Sequence, residues 1–377
     1  MSSINRWAWV EVDLAALKAN VSLLVKQAGA SQLWATVKAN GYGHGAIEVA
    51  RTALSAGASG LCVALADEAH ELREAKIAAP ILIVSEQPDV AFEQMLRDEV
   101  VATVYNEATI NSYAAVAKRL GVVGKVHLKV DTGMHRVGVP VDSAIARVEQ
   151  INALASLKLD GIYTHFAAAD LPSHDETDKQ QQRFDKLVAE LDRKGLLPKF
   201  VHTSNSAALL RNLNSKTDIV RVGIAIYGIA PSNETEVVAN RLQPAMSLHA
   251  RVSHVQRLDA GEGVSYGLRS TLKKSANIAT LPLGYADGVP RRLWSVGGEV
   301  LIGGKRCPIV GVVTMDQLMV NCGDHEVKIG DRAVLLGAQE SETISANEIA
   351  TRLETIGYEI VCGISARVPR VYVENKA

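Results

Sequence analysis

Lys38 stands at the end of an apolar run, "LWATV", and is followed by "ANGYGHG", a stretch too rich in glycine to continue a strand. A lysine so placed is either a solvated strand end or an amine kept for covalent chemistry with a carbonyl. Other polar residues close later apolar runs. Lys129, Asp131 and Arg136 lie in "HLKVDTGMHRVG", His165 in "GIYTHF", His202, Asn205 and Ser206 in "VHTSNSA", and Arg221, Gly223 and Ile224 in "RVGIAIYG". Ser206 opens a helical stretch, and the residues at 223–224 offer backbone N–H groups to an anion, so together they could hold a phosphate. A lysine opposite a phosphate cradle suggests a phosphorylated aldehyde held as a Schiff base. Taken singly, a strand-end lysine or histidine is more often an ordinary surface or satisfied residue. The case rests on convergence.

Convergence requires a scaffold. From about residue 13 to 240 short apolar runs alternate with helical patterns. In "DLAALKANVSLLVKQAG", Leu14, Leu17, Val21, Leu24 and Val25 share one helical face, with Asp13 as cap and Gly29 as stop. Eight apolar runs follow, at 33–37, 60–65, 80–85, 100–105, 125–130, 158–165, 199–204 and 218–228. Between most of them lie helix-length segments, one opened by a capping box of Ser173 and Glu176 and striped by Phe184, Leu187, Val188 and Leu191. This is the pattern of a (β/α)8 TIM barrel, whose strand ends converge on one catalytic face. An open doubly wound sheet is the alternative, since periodicity does not show closure. From 241 to 377 short strands separated by Gly and Asp turns predict a β-rich C-terminal domain, with a hairpin at Gly303-Gly304. One helix there is capped by Ser345 and Glu348 and ended by Gly357. The opening strand, within residues 1–12, is expected to pack with that second domain rather than with the barrel.

The 377 residues, 47% hydrophobic and 21% charged, describe an ordinary globular protein long enough for two domains. A formal net charge of −1 gives no basic excess for nucleic acid or a membrane surface. No basic region followed by an apolar stretch opens the chain, and no apolar run reaches the roughly 20 residues of a membrane span. The four cysteines, Cys62, Cys307, Cys322 and Cys362, form no C-x-x-C pair, so neither a metal site nor a disulfide framework is suggested. A reducing cytoplasm is the expected location.

The motifs "VKANGYGHG", "KVDTGMHRVG", "GIYTHFAAAD", "NSA", "RVGIAIYG", "GEGVSYG", "PLGYADG", "MDQLMV" and "RVPR" closely resemble those of the alanine racemases that use pyridoxal 5′-phosphate. The likeness runs over essentially the whole chain. It implies a barrel followed by a β domain, assembled as a homodimer in which each site is completed by the partner's second domain, supplying D-alanine for peptidoglycan. By motif it implies Lys38 as the cofactor-bearing lysine and one base, and Tyr266 from the other subunit as the second. It implies Tyr42, Ser206, Gly223 and Ile224 at the phosphate, Arg221 at the pyridine nitrogen, and His165 and His202 in the polar network behind. Arg136 would steady the substrate carboxylate, on which the Met315-Asp316 backbone closes, and Lys129 matches a position that carries a carbamate in several members. Tyr285 is the best candidate for substrate access.

Racemisation removes the α-proton from one face and returns one to the other, so it needs a base on each side. Lysine and tyrosine titrate near 10 and need neighbouring positive charge to act near neutrality. Arg221 argues for a racemase over a decarboxylase of the same barrel type, because arginine donates hydrogen bonds without giving up its proton and so weakens the electron sink. One departure stands out. Many members carry an aromatic hydroxyl before "RVPR", and here the residue is Ala366, which predicts a roomier pocket and a broader small-amino-acid activity on serine as well as alanine. Thr314 stands where others carry cysteine.

Overall fold

The computed structural model describes residues 5–213 and 217–374, so residues 1–4 of the opening segment and the last three lie outside it. The first strand, β1 (Ala8–Asp13), runs straight into the helix Leu14–Ala28. Asp13 makes that junction. Its carboxylate accepts from the N–H groups of Ala15 at 2.9 Å and Ala16 at 3.0 Å. Gly29, at φ 64°, stops the helix after its 15 residues, in which Leu17, Val21 and Leu24 are buried on one face.

Nine strands follow: β2 (Gln32–Thr36), β3 (Gly60–Val63), β4 (Ile81–Ile83), β5 (Val101–Val104), β6 (Gly124–Asp131), the short β7 (Val139–Pro140), β8 (Leu157–Tyr163), β9 (Phe200–His202) and β10 (Ile219–Val222). All but β7 form one parallel sheet in the order β10-β2-β3-β4-β5-β6-β8-β9, with β7 appended to β6. The sheet curls until its ends meet: Asp218 N–H donates to Val201 O at 2.8 Å, and Arg221 N–H to Ser204 O at 3.0 Å. These bonds make a nearly closed barrel and set aside the open sheet. Trp34, Cys62, Leu82, Val101, Phe200 and Ile219 pack together as a separate cluster inside.

Two expectations need correction here. The run at 218–228 is a strand only to Val222; "IAIY" forms a 3₁₀ turn, Ile224–Tyr227, after Gly223 bends the chain. The helix expected from Ser173 is Glu176–Arg193, with Asp175 at its cap position and no side-chain cap bond. Glu176 turns instead to Arg183, at 2.7 Å, so it does not reach back to complete a capping box. Phe184, Leu187 and Leu191 are buried as the stripe requires.

The second part contains β11 (Met246–Arg251), β12 (His254–Leu258), β13 (Gly263–Val264), β14 (Ser270–Thr271), β15 (Ala276–Leu281), β16 (Glu299–Ile302), β17 (Lys305–Val310), β18 (Leu318–Asn321), β19 (Arg332–Gln339), β20 (Glu342–Ile344) and β21 (Arg370–Val373). Its main sheet runs β12-β15-β18-β17-β16-β19-β11-β1-β21, so β1 pairs antiparallel with β11 and parallel with β21. Gly303 and Gly304, at φ 56° and 69°, make the two-residue turn between β16 and β17. Ser345 Oγ accepts from Glu348 N–H at 3.0 Å, as a cap should. The Glu348 carboxylate, however, turns to Arg306 at 2.7 Å, and the helix Ala346–Leu353 ends at Glu354 (φ 58°). Gly357 starts the next helix, Gly357–Cys362, rather than ending this one. Among the described residues no helix is long and apolar enough to cross a membrane.

Candidate active site

The chain leaves β2 at Thr36 and makes a turn of the wrong hand. Lys38 opens the segment Lys38–Tyr42, in which Ala39, Asn40, Gly41 and Tyr42 all have φ between 51° and 60°. Left-handed backbone costs an L-residue roughly 1–2 kcal/mol, so three such non-glycine residues within one turn must be held from outside. Glu68 does much of this: its carboxylate accepts from Ala39 N–H at 2.6 Å and from Ala64 and Leu65 N–H at 2.8 and 3.1 Å. Asn40 Oδ1 accepts from Ala46 N–H at 2.9 Å, and His44 Nδ1 lies 2.9 Å from Tyr42 O. A Cβ on Gly43 would come within 2.4 Å of Val361 O, which is why this turn needs glycine there. The result leaves Lys38 half-buried at the barrel mouth and points Tyr42 inward.

Tyr42 Oη ends beside Gly223, where a Cβ would lie only 2.5 Å from it. Gly223 N–H donates to Ser206 Oγ at 2.9 Å. That bond leaves the serine O–H and the first N–H of the 3₁₀ turn, on Ile224, to face a ligand, so Gly223 contributes shape and the other three contribute donors. Asn205 Oδ1, accepting from Ala208 N–H at 3.0 Å, caps the helix Ser206–Leu210 and fixes the serine. Burial pushes the Tyr42 phenol pKa upward, so it stays a neutral donor. Two hydroxyls and a turn N–H around a space that a side chain would fill fit a phosphate ester.

Arg221, buried on β10, spends both terminal nitrogens on the protein. Nη1 donates to His202 Nδ1 at 2.7 Å, and Nη2 to Thr164 O at 2.8 Å and Thr203 O at 3.1 Å, with His165 Nδ1 3.4 Å away. Its Nε–H has no acceptor among the described residues. A guanidinium only donates, so His202 must accept through Nδ1 and carry its proton on Nε2. That Nε2–H donates to His127 Nδ1 at 3.0 Å, and His127 in turn carries a buried, unpartnered Nε2. Tyr163 stacks on His202 at 4.6 Å with an interplanar angle of 9°. The relay therefore has one direction, from Arg221 into the barrel. Sequence reasoning missed His127 and Glu68. The signal for His127 was present: in "KVHLKV" it lies two residues before Lys129, on the same strand face.

Burial drives the pKa of His127 and of His44 down to about 4, and that of His202 well below the ordinary 6.5. The unfolded chain therefore takes up these protons first as pH falls through 6.5. Stability contributed by the neutral rings is complete above that pH and declines towards pH 4. Urea unfolding at pH 7, 6, 5 and 4 should show a falling free energy over this window, partly relieved in His127→Asn. A flat profile would contradict the neutral relay.

Lys129 is buried beside this network, 5.8 Å from the Tyr163 ring centre. Burial, then the positive charges of Arg136, Arg221 and Lys38, lower its pKa to about 8. Asp131, the carboxylate nearest in sequence, is turned to Gly133 and His135 N–H, both at 3.0 Å. Arg136 is exposed at the mouth.

The remaining predicted residues gather elsewhere. Tyr266 projects from the β13–β14 hairpin with 73% of its surface exposed, while Ser265 Oγ anchors the loop by donating to Val312 O at 2.7 Å. Thr314 closes a tight turn, donating through Oγ1 to Gln317 O at 2.8 Å, and so presents Met315 and Asp316 outward. Ala286 N–H donates to Met315 O at 3.1 Å, which sets the exposed Tyr285 beside that turn. Asp316 pairs with Arg367 at 2.8 Å. No hydrogen bond, ion pair or ring contact among the described residues joins Tyr266, Met315, Asp316 or Tyr285 to Lys38. The candidate residues thus fall into two separate groups, and there is no cluster of three or more metal-ligating side chains among the described residues.

A nearly closed barrel with a lysine opposite an anion cradle, followed by a β domain bearing an outward tyrosine, defines a two-domain class of barrel protein. The family described as "Alanine racemase, N-terminal domain" matches residues 12–231, and "Alanine racemase, C-terminal domain" matches 245–372. An alanine racemase of Desulforamulus reducens is 43% identical, covering 97% of this chain and 98% of its own length. Alanine racemase 1 of Bacillus subtilis is 43% identical over 98% of this chain and 94% of its own. The crystal structure of alanine racemase from D-cycloserine-producing Streptomyces lavendulae superposes with a TM-score of 0.94 at 36% identity, covering 99% of each chain. A histidine racemase of Leuconostoc mesenteroides superposes with a TM-score of 0.90 at 27% identity, also covering 99% of each. The chain belongs to the alanine racemase family.

Proposed function

We propose that this protein interconverts L- and D-alanine with pyridoxal 5′-phosphate, in the cytoplasm, to supply D-alanine for peptidoglycan. When bound, the cofactor draws electrons from the substrate's α-carbon and lowers the cost of removing its α-proton. Tyr42, Ser206 and Ile224 hold the phosphate in the space Gly223 leaves open. Lys38 anchors the aldehyde end and exchanges a proton on one face; Tyr266, from a second copy of the chain, does so on the other. Arg221 donates without giving up its proton, so it keeps a ring nitrogen facing it unprotonated. Arg136 and the N–H groups of Met315 and Asp316 bind the substrate carboxylate, Tyr285 lines the approach, and His165 and His202 hold Arg221 in place. The observation that carries this reading is Arg221, a donor-only group wired to neutral histidines where a decarboxylase or transaminase would profit from a carboxylate.

The homodimer rests on exposure. Tyr266 (73% exposed), Leu268 (64%) and Met315 (52%) form apolar surface that their own chain leaves uncovered. In this reading residues 13–240 are the barrel, 241–377 the domain that completes the partner's site, and 1–12 a strand belonging to the latter. The deciding experiment incubates the protein with cofactor and L-alanine in D₂O. Loss of the α-proton with formation of D-alanine is expected, and release of CO₂ would favour a decarboxylase instead.

Two predictions concern this chain in particular. Ala366 is exposed and brings no hydroxyl to the phosphate, so serine should be racemised at a rate measurable against alanine; serine at background would remove the roomier pocket. Lys129, neutral in large part above pH 8, should add CO₂ to its amine with loss of a proton, placing an anion beside Arg136. With ¹³C-labelled CO₂ a carbamate resonance is expected at pH 8 that fades towards pH 6 and is absent from Lys129→Arg.

A further inference from the structure

We propose that Cys307 and Cys322 form an oxidisable cross-strand thiol pair, a modification site that a small peroxide converts into a reversible disulfide between β17 and β18. The strands pair antiparallel with Ile309 opposite Val320 and Val310 opposite Met319. Continuing that register by two residues sets Cys307 opposite Cys322. Ile309 N–H is bonded outward to Gly298 O and Cys322 N–H outward to Asn277 O, both at 2.9 Å. Cys307 has the same strand parity as Ile309, so the cysteines face each other without mutual backbone bonds. Such pairs have Cα atoms about 4.5 Å apart, closer than bonded pairs. Disulfides span Cα separations of about 4.4 to 6.8 Å, so this pair sits at the short end, where a bridge forms but is strained and readily reduced.

The side chains meet. Directly opposite residues share a sheet face, and both cysteines are buried, at 3% and 7% exposure, each thiol donating to a carbonyl of its own strand, Cys307 Sγ to Lys305 O at 3.7 Å and Cys322 Sγ to Val320 O at 3.8 Å. The neighbouring Cys322 thiol holds the Cys307 thiol below its ordinary pKa, while Cys307 and then burial push the Cys322 thiol up, so Cys307 is the nucleophile and Cys322 the resolving partner. The Cys307 sulfur attacks one peroxide oxygen, the O–O bond breaks, and the second oxygen leaves as water after taking the thiol proton. The Cys322 sulfur then displaces the sulfenic oxygen, which leaves as a second water. Two thiols lose two electrons and one peroxide gains them.

The bridge would tie down the segment between the two strands, which bears Met315 and Asp316 and whose Val312 carbonyl holds the Tyr266 loop. The proposal stands apart from the racemase reading, and its test does not use activity. The full chain, reduced and then treated with hydrogen peroxide, is alkylated under denaturing conditions and mapped by mass spectrometry. Expected is a Cys307–Cys322 cross-linked peptide two hydrogens lighter than its parts, reversed by dithiothreitol, with Cys62 still alkylatable. The oxidised protein should melt at a higher temperature than the reduced one, a shift absent from Cys307→Ala and Cys322→Ala. Full alkylation of both cysteines while the exposed Cys362 reacts, or over-oxidation of Cys307 with Cys322 left free, would overturn it. The mapping uses the unaltered sequence, so it decides the matter even if a variant fails to fold.

Discussion

Lys38→Ala should lose alanine racemisation in both directions, by roughly ten-thousand-fold or more, the upper range for removal of a positioned acid–base group. Both directions fail together because the group that removes a proton from one enantiomer is the group that returns it to the other. The variant should nonetheless fold and hold the cofactor non-covalently. Glu68, Asn40 and His44 fix the left-handed turn through the backbone and through side chains other than the lysine. Tyr42, Ser206 and Ile224 remain around the phosphate space. Borohydride reduction followed by mass spectrometry separates the cases. The wild-type protein should carry the reduced cofactor on the peptide containing Lys38, and the variant should carry none. Cofactor found instead on Lys129 of the wild type, a buried amine whose pKa is lowered to about 8, would show that the anchoring lysine has been misassigned.

Tyr266→Phe should be nearly as inactive alone, roughly a hundred- to ten-thousand-fold down, and mixing it with Lys38→Ala should restore activity. The expectation follows from the geometry of one chain. Tyr266, Met315 and Tyr285 project outward from loops held by Ser265, Thr314 and Ala286, and no hydrogen bond, ion pair or ring contact among the described residues joins them to Lys38. If a site draws Lys38 from one copy and Tyr266 from another, a mixed dimer holds one site with both defects and one with neither. Unfolding and refolding the two variants together should yield up to about a quarter of wild-type activity, since half of random dimers are mixed and each has one intact site. No recovery, with mixed dimers demonstrated by mass, would place both bases within a single chain.

Much of this protein can be read locally. Asp13 and Gly29 bound a helix, and Gly303-Gly304 turn a hairpin, because caps and two-residue turns depend on a few adjacent φ, ψ angles and one nearby side chain. The run of strand-length apolar segments between helices is a matter of period, and so were the eight parallel strands. Lys38 was legible from its place at the end of an apolar run, and Tyr266 by motif alone, with its position in another subunit given only by the resemblance.

What local reading missed are choices among competing partners. Glu348 can complete a capping box or answer Arg306, and in the folded sheet Arg306 stands close enough to win. The hand of the turn after Lys38 depends on Glu68, which no property of "KANGY" implies. Gly223 N–H could face a ligand, but packing brings Ser206 Oγ within 2.9 Å of it first. His127 is an unremarkable strand residue until barrel closure sets it against His202, and Arg221 then dictates which nitrogen of each ring carries the proton. By itself the sequence determined the alternation of strands and helices and the order of the two parts, and it singled out Lys38 and Tyr266 as candidates. The tertiary structure alone decided barrel closure, the strained turn and the direction of the histidine relay, because each is a hydrogen bond awarded between groups far apart in the chain.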